Sequence, residues 1–205
     1  MRTRVQIIGH TFSPFTRKVR IVALERGIPI EFIEDMPLAE TTAVPKYNPL
    51  GKVPVLVRND GSALIDSPLI AAWLDAHGEG EGLIPADQTQ QICVQQWEAV
   101  ADGVAEAAVL MRSETLRPEG ERSRAWAQRQ QTKVECGLRW MNERLGGKYC
   151  VGERLSLADI ALACCVSYLE FRFPDGRWRD RYVAVGRSSL AMEERPSFQA
   201  TPMRA

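Results

Sequence analysis

Residues 48–69 read NPLGKVPVLVRNDGSALIDSPL, and their order decides the architecture of the first half of the chain. Val53 to Val57 and Ala63 to Ile65 are short apolar runs, and Asn59-Asp60-Gly61 between them is a turn signal. Two such runs across such a turn predict an antiparallel hairpin. Asp66-Ser67-Pro68 then opens a helix, because serine caps free amides and proline suits a first turn that needs no amide. Ile70, Trp73, Leu74 and His77 recur at helical spacing and mark its expected buried face. Ahead of the hairpin, Asn48-Pro49-Leu50-Gly51 is turn chemistry.

Working toward the N-terminus, residues 30–34 (IEFIE) alternate apolar and acidic side chains, as a strand does. Thr11-Phe12-Ser13-Pro14 starts a helix with Ser13 as its cap, and Phe15, Val19, Val22 and Ala23 keep one face until Gly27 stops it. Residues 4–9 (RVQIIG) form a strand ended by Gly9. The order is therefore βαβ, an irregular segment, then ββα, an α/β domain over residues 1–77. Residues 78–88 (GEGEGLIPADQ) carry three glycines and a proline and read as a linker. From 89 to 205 the pattern is helical only. One face holds Trp97, Val100, Ala101, Val104, Ala108 and Met111; a second holds Val134, Leu138, Met141 and Leu145; a third holds Ile160, Cys164, Tyr168 and Phe171. The segment from Trp178 is weaker, and the tail SFQATPMRA reads as irregular.

Bulk composition narrows the function classes. The 205 residues include 26 basic and 26 acidic side chains, so no net field draws the chain to nucleic acid or to an anionic membrane. The apolar core of the N-terminus, Val5 to Ile8, is too short for a signal peptide, and no stretch has the length of a bilayer span. Five scattered cysteines lack C-x-x-C spacing, and neither histidine is near one in sequence, so no zinc pattern is present. Most of these cysteines fall on apolar helix positions, where a free thiol acts as a small core residue. The expectation is a cytoplasmic protein with no metal, no nucleic acid and no membrane partner.

Three places can carry chemistry, each with a second, purely structural reading. Pro54 is either the residue before an edge strand starting at Val55, or the second half of a cis Val53-Pro54 bond. In the second reading the Val53 backbone is open to pair with an extended peptide. Ser67 is either an N-cap or, with the helix amides, a carboxylate site beside an Asp66 that can accept from an ammonium. Ser13 either caps its helix or donates to a thiolate held at the helix N-terminus.

Together, the runs TFSPFTRKVR, NPLGKVPVL and DSPLIAAWL resemble the N-terminal domain of cytosolic glutathione S-transferases, with Ser-Pro-Phe at the first helix start as in bacterial members. Ser156-Leu157-Ala158-Asp159 is similar to the capping box of that family's helical domain. This resemblance implies a thioredoxin-like α/β domain followed by an all-α helical bundle, the glutathione S-transferase fold. It also implies glutathione as co-substrate. Val53 and the cis Pro54 would meet the cysteinyl backbone, Asp66 and Ser67 the γ-glutamyl head, and Lys52 would neighbour the glycyl carboxylate. Asp66 departs from the glutamate usual in the family and reaches less far.

Within the family, cysteine near the first helix start gives mixed disulfides, whereas serine supports a glutathione thiolate attacking an electrophile. Here the residue is Ser13, with Thr11 as second choice for the same role and backbone amides as a further alternative. The electrophile would lie between the domains, against Phe12, Phe15, Val109 and Arg112. The resemblance further implies a homodimer and a detoxification role. Two alternatives stay open: another glutathione-dependent chemistry (isomerase, dehalogenase or peroxidase), or a non-catalytic glutathione-binding interaction protein.

Overall fold

In the computed structural model, which describes residues 5–203, β1 (Val5–Gly9), β2 (Ile30–Glu34), β3 (Val55–Val57) and β4 (Ala63–Ile65) form one sheet in the order β2-β1-β3-β4. Arg4, expected to open the first strand, lies outside the described residues. β1 and β2 run parallel, joined by the crossover helix α1 (Pro14–Glu25). β3 is antiparallel to both β1 and β4. β3 does begin at Val55, but it is an interior strand and not the edge strand of the structural reading. Pro54 is tolerated because it sits one residue before the ladder, where no amide is required.

Both predicted turns close with local bonds. Gly61 adopts φ +81 and donates its amide to the Arg58 carbonyl at 2.9 Å, which sets the β3–β4 hairpin. α1 ends through Gly27 at φ +63, and the Ile28 amide returns to the Ala23 carbonyl at 2.9 Å.

α2 (Ser67–His77) buries Ile70 and Leu74 completely and Trp73 in part, but His77 is exposed. His77 lies in the last turn, where its ring stacks on Trp73 at 4.2 Å and its Nδ1 meets the Trp73 carbonyl. The inward residue of that turn is Asp75. Its carboxylate is paired with Arg26 at 2.9 Å and accepts the Leu83 and Ile84 amides at 2.7 and 3.0 Å. Arg26 also donates to the backbone carbonyls of Asp75, Glu79 and Glu81. The first eight residues of the expected linker are thus tied down, and the first compact unit continues to Pro85.

The second unit, Ala86–Glu193, is all helix: α3 (Gln88–Leu116), α4 (Arg124–Arg144), α5 (Leu157–Arg172), α6 (Trp178–Arg181) and α7 (Val183–Glu193). α3 packs on both α4 and α5, burying Trp97, Ala101, Val104 and Ala108, while α4 buries Val134, Leu138 and Met141; the Trp97 and Trp140 rings meet edge-on at 5.2 Å. A Cβ at Gly137 would meet the Val104 side chain at 2.2 Å, so this glycine permits the close approach of the two helices. α5 is buried from Leu157 to Leu169, as a central helix that is apolar all round must be. At its start the buried Asp159 carboxylate accepts the Ser156 amide and hydroxyl at 2.8 and 2.7 Å, and the Cys150 amide at 2.7 Å. Ser156 and Asp159 thus act structurally, as expected for a capping pair.

The cysteines differ from expectation. Only Cys164 and Cys165 are buried, whereas Cys93 and Cys136 are exposed and Cys150 is half-buried. Burial pushes the Cys165 and Cys150 thiols up, which makes both poor nucleophiles at neutral pH.

Of the tail expected to be irregular, residues 197–199 lie in α8 (Pro196–Gln199) and residues 200–203 are irregular, and the segment groups with the first unit. Glu25 on α1 pairs with Arg195 at 2.7 Å and accepts from Ser197. The buried Arg17 donates to the Thr201 and Phe198 carbonyls at 2.8 and 3.4 Å, its guanidinium lying 5.1 Å from the Phe198 ring. Arg204 and Ala205, the last two residues of the expected tail, lie outside the described residues. Among the described residues no helix is long and apolar enough to cross a membrane.

Candidate functional site

Strand register brings three of the sequence candidates to one end of the sheet. Val55 pairs with Ile8 on one side and with Ile65 on the other. The chain leaving β1 at Gly9, the chain entering β3 through Val53-Pro54 and the chain leaving β4 into Asp66-Ser67 are therefore neighbours. They are far apart in sequence, and the antiparallel pairing of short strands places them together.

The first of these segments is a tight turn. The Ser13 amide donates to the His10 carbonyl at 3.0 Å, and the Phe12 amide to His10 Nδ1 at 3.4 Å. His10 is buried, with its ring centroid 3.5 Å from that of Phe12. Thr11 donates its hydroxyl to Glu34 Oε1 at 2.8 Å and its amide to the same oxygen at 3.4 Å. The Thr11 hydroxyl bond, the largest influence, holds the Glu34 carboxyl below its usual range. Ser13 then caps α1: its Oγ accepts the Thr16 amide at 3.2 Å, so its own proton remains available to donate. Gly9 is required here, since a Cβ would lie 2.5 Å from the Thr16 side chain.

In the second segment the Val53-Pro54 bond is cis. Pro54 is buried, Val53 half-buried and Lys52 exposed. The buried Asn48 braces the loop, donating from Nδ2 to the Lys52 carbonyl at 2.7 Å and accepting the Leu50 amide at 3.0 Å. In sequence Asn48 reads only as half of an Asn-Pro turn, because both its partners are backbone groups.

The third segment departs from its structural reading. Ser67 is the first helical residue of α2 and not its cap; Asp66 holds the cap position and makes no side-chain capping bond. Asp66 is exposed and adopts φ +73, ψ 126, a conformation that L side chains rarely enter, while Ser67 is buried. Such strain costs roughly 1–3 kcal/mol and persists where the surroundings over-determine it. The helix start therefore offers uncapped amides and a buried hydroxyl beside an exposed carboxylate, the two signs of charge complementarity that an α-amino-acid head requires.

Of the remaining candidates, Phe12 and Phe15 are half-buried in the first unit, and Val109 and Arg112 are half-buried near the end of α3 in the second. Arg112 donates to the Thr115 hydroxyl at 3.1 Å. The second unit also has a cleft of about 820 Å³ lined by Met111, Arg172, Phe173, Trp178 and Arg181 among others. Its rim arginines are matched by carboxylates: Arg177 with Asp180 at 3.0 Å and Arg181 with Glu135 at 3.1 Å. Sequence reasoning missed His10 and Glu34. Neither belongs to a motif, and both matter through register and turn geometry alone.

The chain is similar to known proteins over both of its units. The family model described as glutathione S-transferase, N-terminal domain, matches residues 12–77, and that described as glutathione S-transferase, C-terminal domain, matches residues 124–187. The uncharacterized GST-like protein YibF of Escherichia coli (strain K12) is 36% identical over 168 residues, 82% of this chain and 83% of its own. A crystal structure of a glutathione S-transferase from Methylobacterium radiotolerans, in complex with glutathione sulfonate, is 38% identical. It superposes with a TM-score of 0.95 over 99% of this chain and 96% of its own. A glutathione S-transferase from Methylobacillus flagellatus with glutathione bound is 41% identical, with a TM-score of 0.94 over 98% of this chain and 100% of its own.

Proposed function

The chain belongs to the glutathione S-transferase family, and from that premise we propose that it binds glutathione at the sheet end described above and adds the thiolate to a small, apolar electrophile. The observation that carries this reading is the meeting of Ser13, Val53-Pro54 and Asp66-Ser67 through the β1–β3–β4 register. Asp66 accepts from the γ-glutamyl ammonium, and Ser67 with the first amides of α2 binds its carboxylate. The Val53 backbone pairs with the cysteinyl residue, and Lys52 faces the glycyl carboxylate.

Ser13 is the group that activates the thiol. Its oxygen accepts the Thr16 amide, and its proton is directed to the sulfur, where it stabilises the thiolate. Thr11 is the weaker candidate, because Glu34 already takes its only hydroxyl proton. The thiolate performs the nucleophilic attack, and the protein contributes orientation and a preorganised donor. Phe12 and Phe15, half-buried beside Ser13 in the first unit, line the electrophile site. The working form is a cytoplasmic homodimer.

Calorimetric titration of the intact chain with reduced glutathione tests the binding, with saturable heat at one glutathione per chain as the expected result. Absence of binding at millimolar glutathione overturns the reading. Sedimentation at micromolar concentration tests the dimer, which should run at about twice the chain mass; a monomer that still binds glutathione removes that part alone.

A further inference from the structure

The turn that presents Ser13 is held from outside itself. Glu34 ends β2, and the parallel register sets it opposite Gly9, one residue before the turn begins. The Asp35 amide fixes that alignment by donating to the Gly9 carbonyl at 2.8 Å. From there one carboxylate oxygen of Glu34 takes both the hydroxyl and the amide of Thr11. With the Phe12 and Ser13 amides donated to His10, all three amides from Thr11 to Ser13 have acceptors within the domain. None of them is left over to stabilise a thiolate.

We propose that Glu34 is a positioning residue for Ser13, acting through Thr11; this rests on the reading of Ser13 given above. Thr11 lies two residues before Ser13 and its hydroxyl is bonded to β2, while His10 Nε2 in the same turn lies 3.9 Å from the same carboxylate oxygen. Fixing it sets the rotation of the Thr11–Phe12 segment, and so the direction in which the Ser13 hydroxyl points while its oxygen is bound to the Thr16 amide. The side chain of Glu34 is 52% exposed, so the bond competes with water and its loss does not unfold the domain.

A positioning role and a purely electrostatic one have opposite signs. A carboxylate acting only as a nearby negative charge disfavours a thiolate, so its removal would lower the thiol pKa of bound glutathione and aid catalysis. A carboxylate that orients Ser13 gives the reverse.

The test is the thiolate absorbance of glutathione bound to the intact chain, titrated against pH, which needs no knowledge of the electrophile. Glu34→Leu should raise the bound-thiol pKa by roughly half to one unit, the scale of one weakened hydrogen bond, with the dissociation constant of glutathione little changed. Glu34→Gln keeps an acceptor oxygen for Thr11 and should titrate close to the natural protein. Thr11→Val should give the same rise as Glu34→Leu, and the double variant no further rise, because both break one link. A bound-thiol pKa that falls or stays in Glu34→Leu overturns the proposal, as do additive effects in the double variant. Ser13→Ala separates the two layers. If it leaves the titration where it was, the Ser13 reading falls and the proposal with it; if it shifts the titration while Glu34→Leu does not, only the positioning role falls.

Discussion

The first unit starts two helices with the same dipeptide, Ser13-Pro14 and Ser67-Pro68, and uses them differently. At α1 the serine stands in the cap position with relaxed extended backbone, φ −81 and ψ 123, and its oxygen takes the Thr16 amide. At α2 the serine has moved one position into the helix, and a strained Asp66 at φ +73 stands where the cap should be, with no capping bond. One helix start has its cap bond. The other leaves its first amides without a side-chain cap, at a cost in backbone strain. In the reading proposed above the first serine caps its helix and also serves the sulfur, whereas the second serves the ligand alone, and the backbone angle of the residue in the cap position tells the two starts apart.

That contrast can be broken most directly at Ser67. Ser67→Ala should weaken glutathione binding by about 1–3 kcal/mol, roughly 5- to 150-fold in Kd, because a carboxylate loses one donor. Thermal stability should move by less than about 0.5 kcal/mol, since the hydroxyl caps nothing. Titration calorimetry and thermal unfolding on the same sample read both numbers, and unchanged affinity would place the ligand elsewhere.

Ser13→Ala should do both kinds of damage. Loss of the cap costs about 1 kcal/mol of stability. Loss of the donor lowers turnover with an activated aryl halide about tenfold at neutral pH, or about 1.4 kcal/mol of barrier. A variant that loses stability while its turnover and thiol titration stay put would reduce Ser13 to a cap. The contrast between the two helix starts would then have to be redrawn.

Asp66→Gly sharpens the comparison from the other side. Glycine enters φ +73 freely, so the variant sheds strain worth roughly 1–3 kcal/mol and gives back about 1 kcal/mol in unfolded-state entropy. A net gain of about 1 kcal/mol in stability should accompany a loss of glutathione affinity. Denaturant melts that show no gain would mean that the Asp66 conformation carries no strain.

The smallest effect concerns the tail. Burial alone would raise the Glu25 carboxyl, but hydrogen bonds from Arg195 and Ser197 and the Arg195 charge outweigh it and hold it below its usual range. Its contribution to stability is therefore complete above the ordinary carboxylate value of about 4.3 and fades as pH falls through the lower folded value. Amide exchange across residues 194–203 should quicken in that acid window, and Arg195→Gln should remove the pH dependence. Exchange that is flat down to pH 3 would show that Phe198 and Arg17 hold the tail without help from Glu25.

Much of the architecture is written in short-range chemistry. Asn59-Asp60-Gly61 fixes a hairpin because a glycine at φ +81 suits that turn, and Gly27 ends α1 for the same reason. The α3, α4 and α5 stripes follow from periodicity, which depends only on helix geometry. The site was legible where it coincides with such signals, at Ser13, Pro54 and Ser67. Asn48, His10 and Glu34 were not, because their partners are backbone groups or lie across the sheet, and neither leaves a local pattern.

The sequence by itself determined the four strands, the start of α1 and the apolar stripes of α3, α4 and α5, since propensity, capping and turn formation act over a few residues. Tertiary structure alone decided three things. The pairing of Val55 with both Ile8 and Ile65 gathers the site. Ser67 lies inside its helix with Asp66 strained ahead of it. Residues from Glu194 onward return to the first unit, where Arg17 binds a carbonyl 184 residues away. Each depends on which distant groups satisfy a buried donor or a strand edge. Only the folded chain brings those partners within a hydrogen bond of one another.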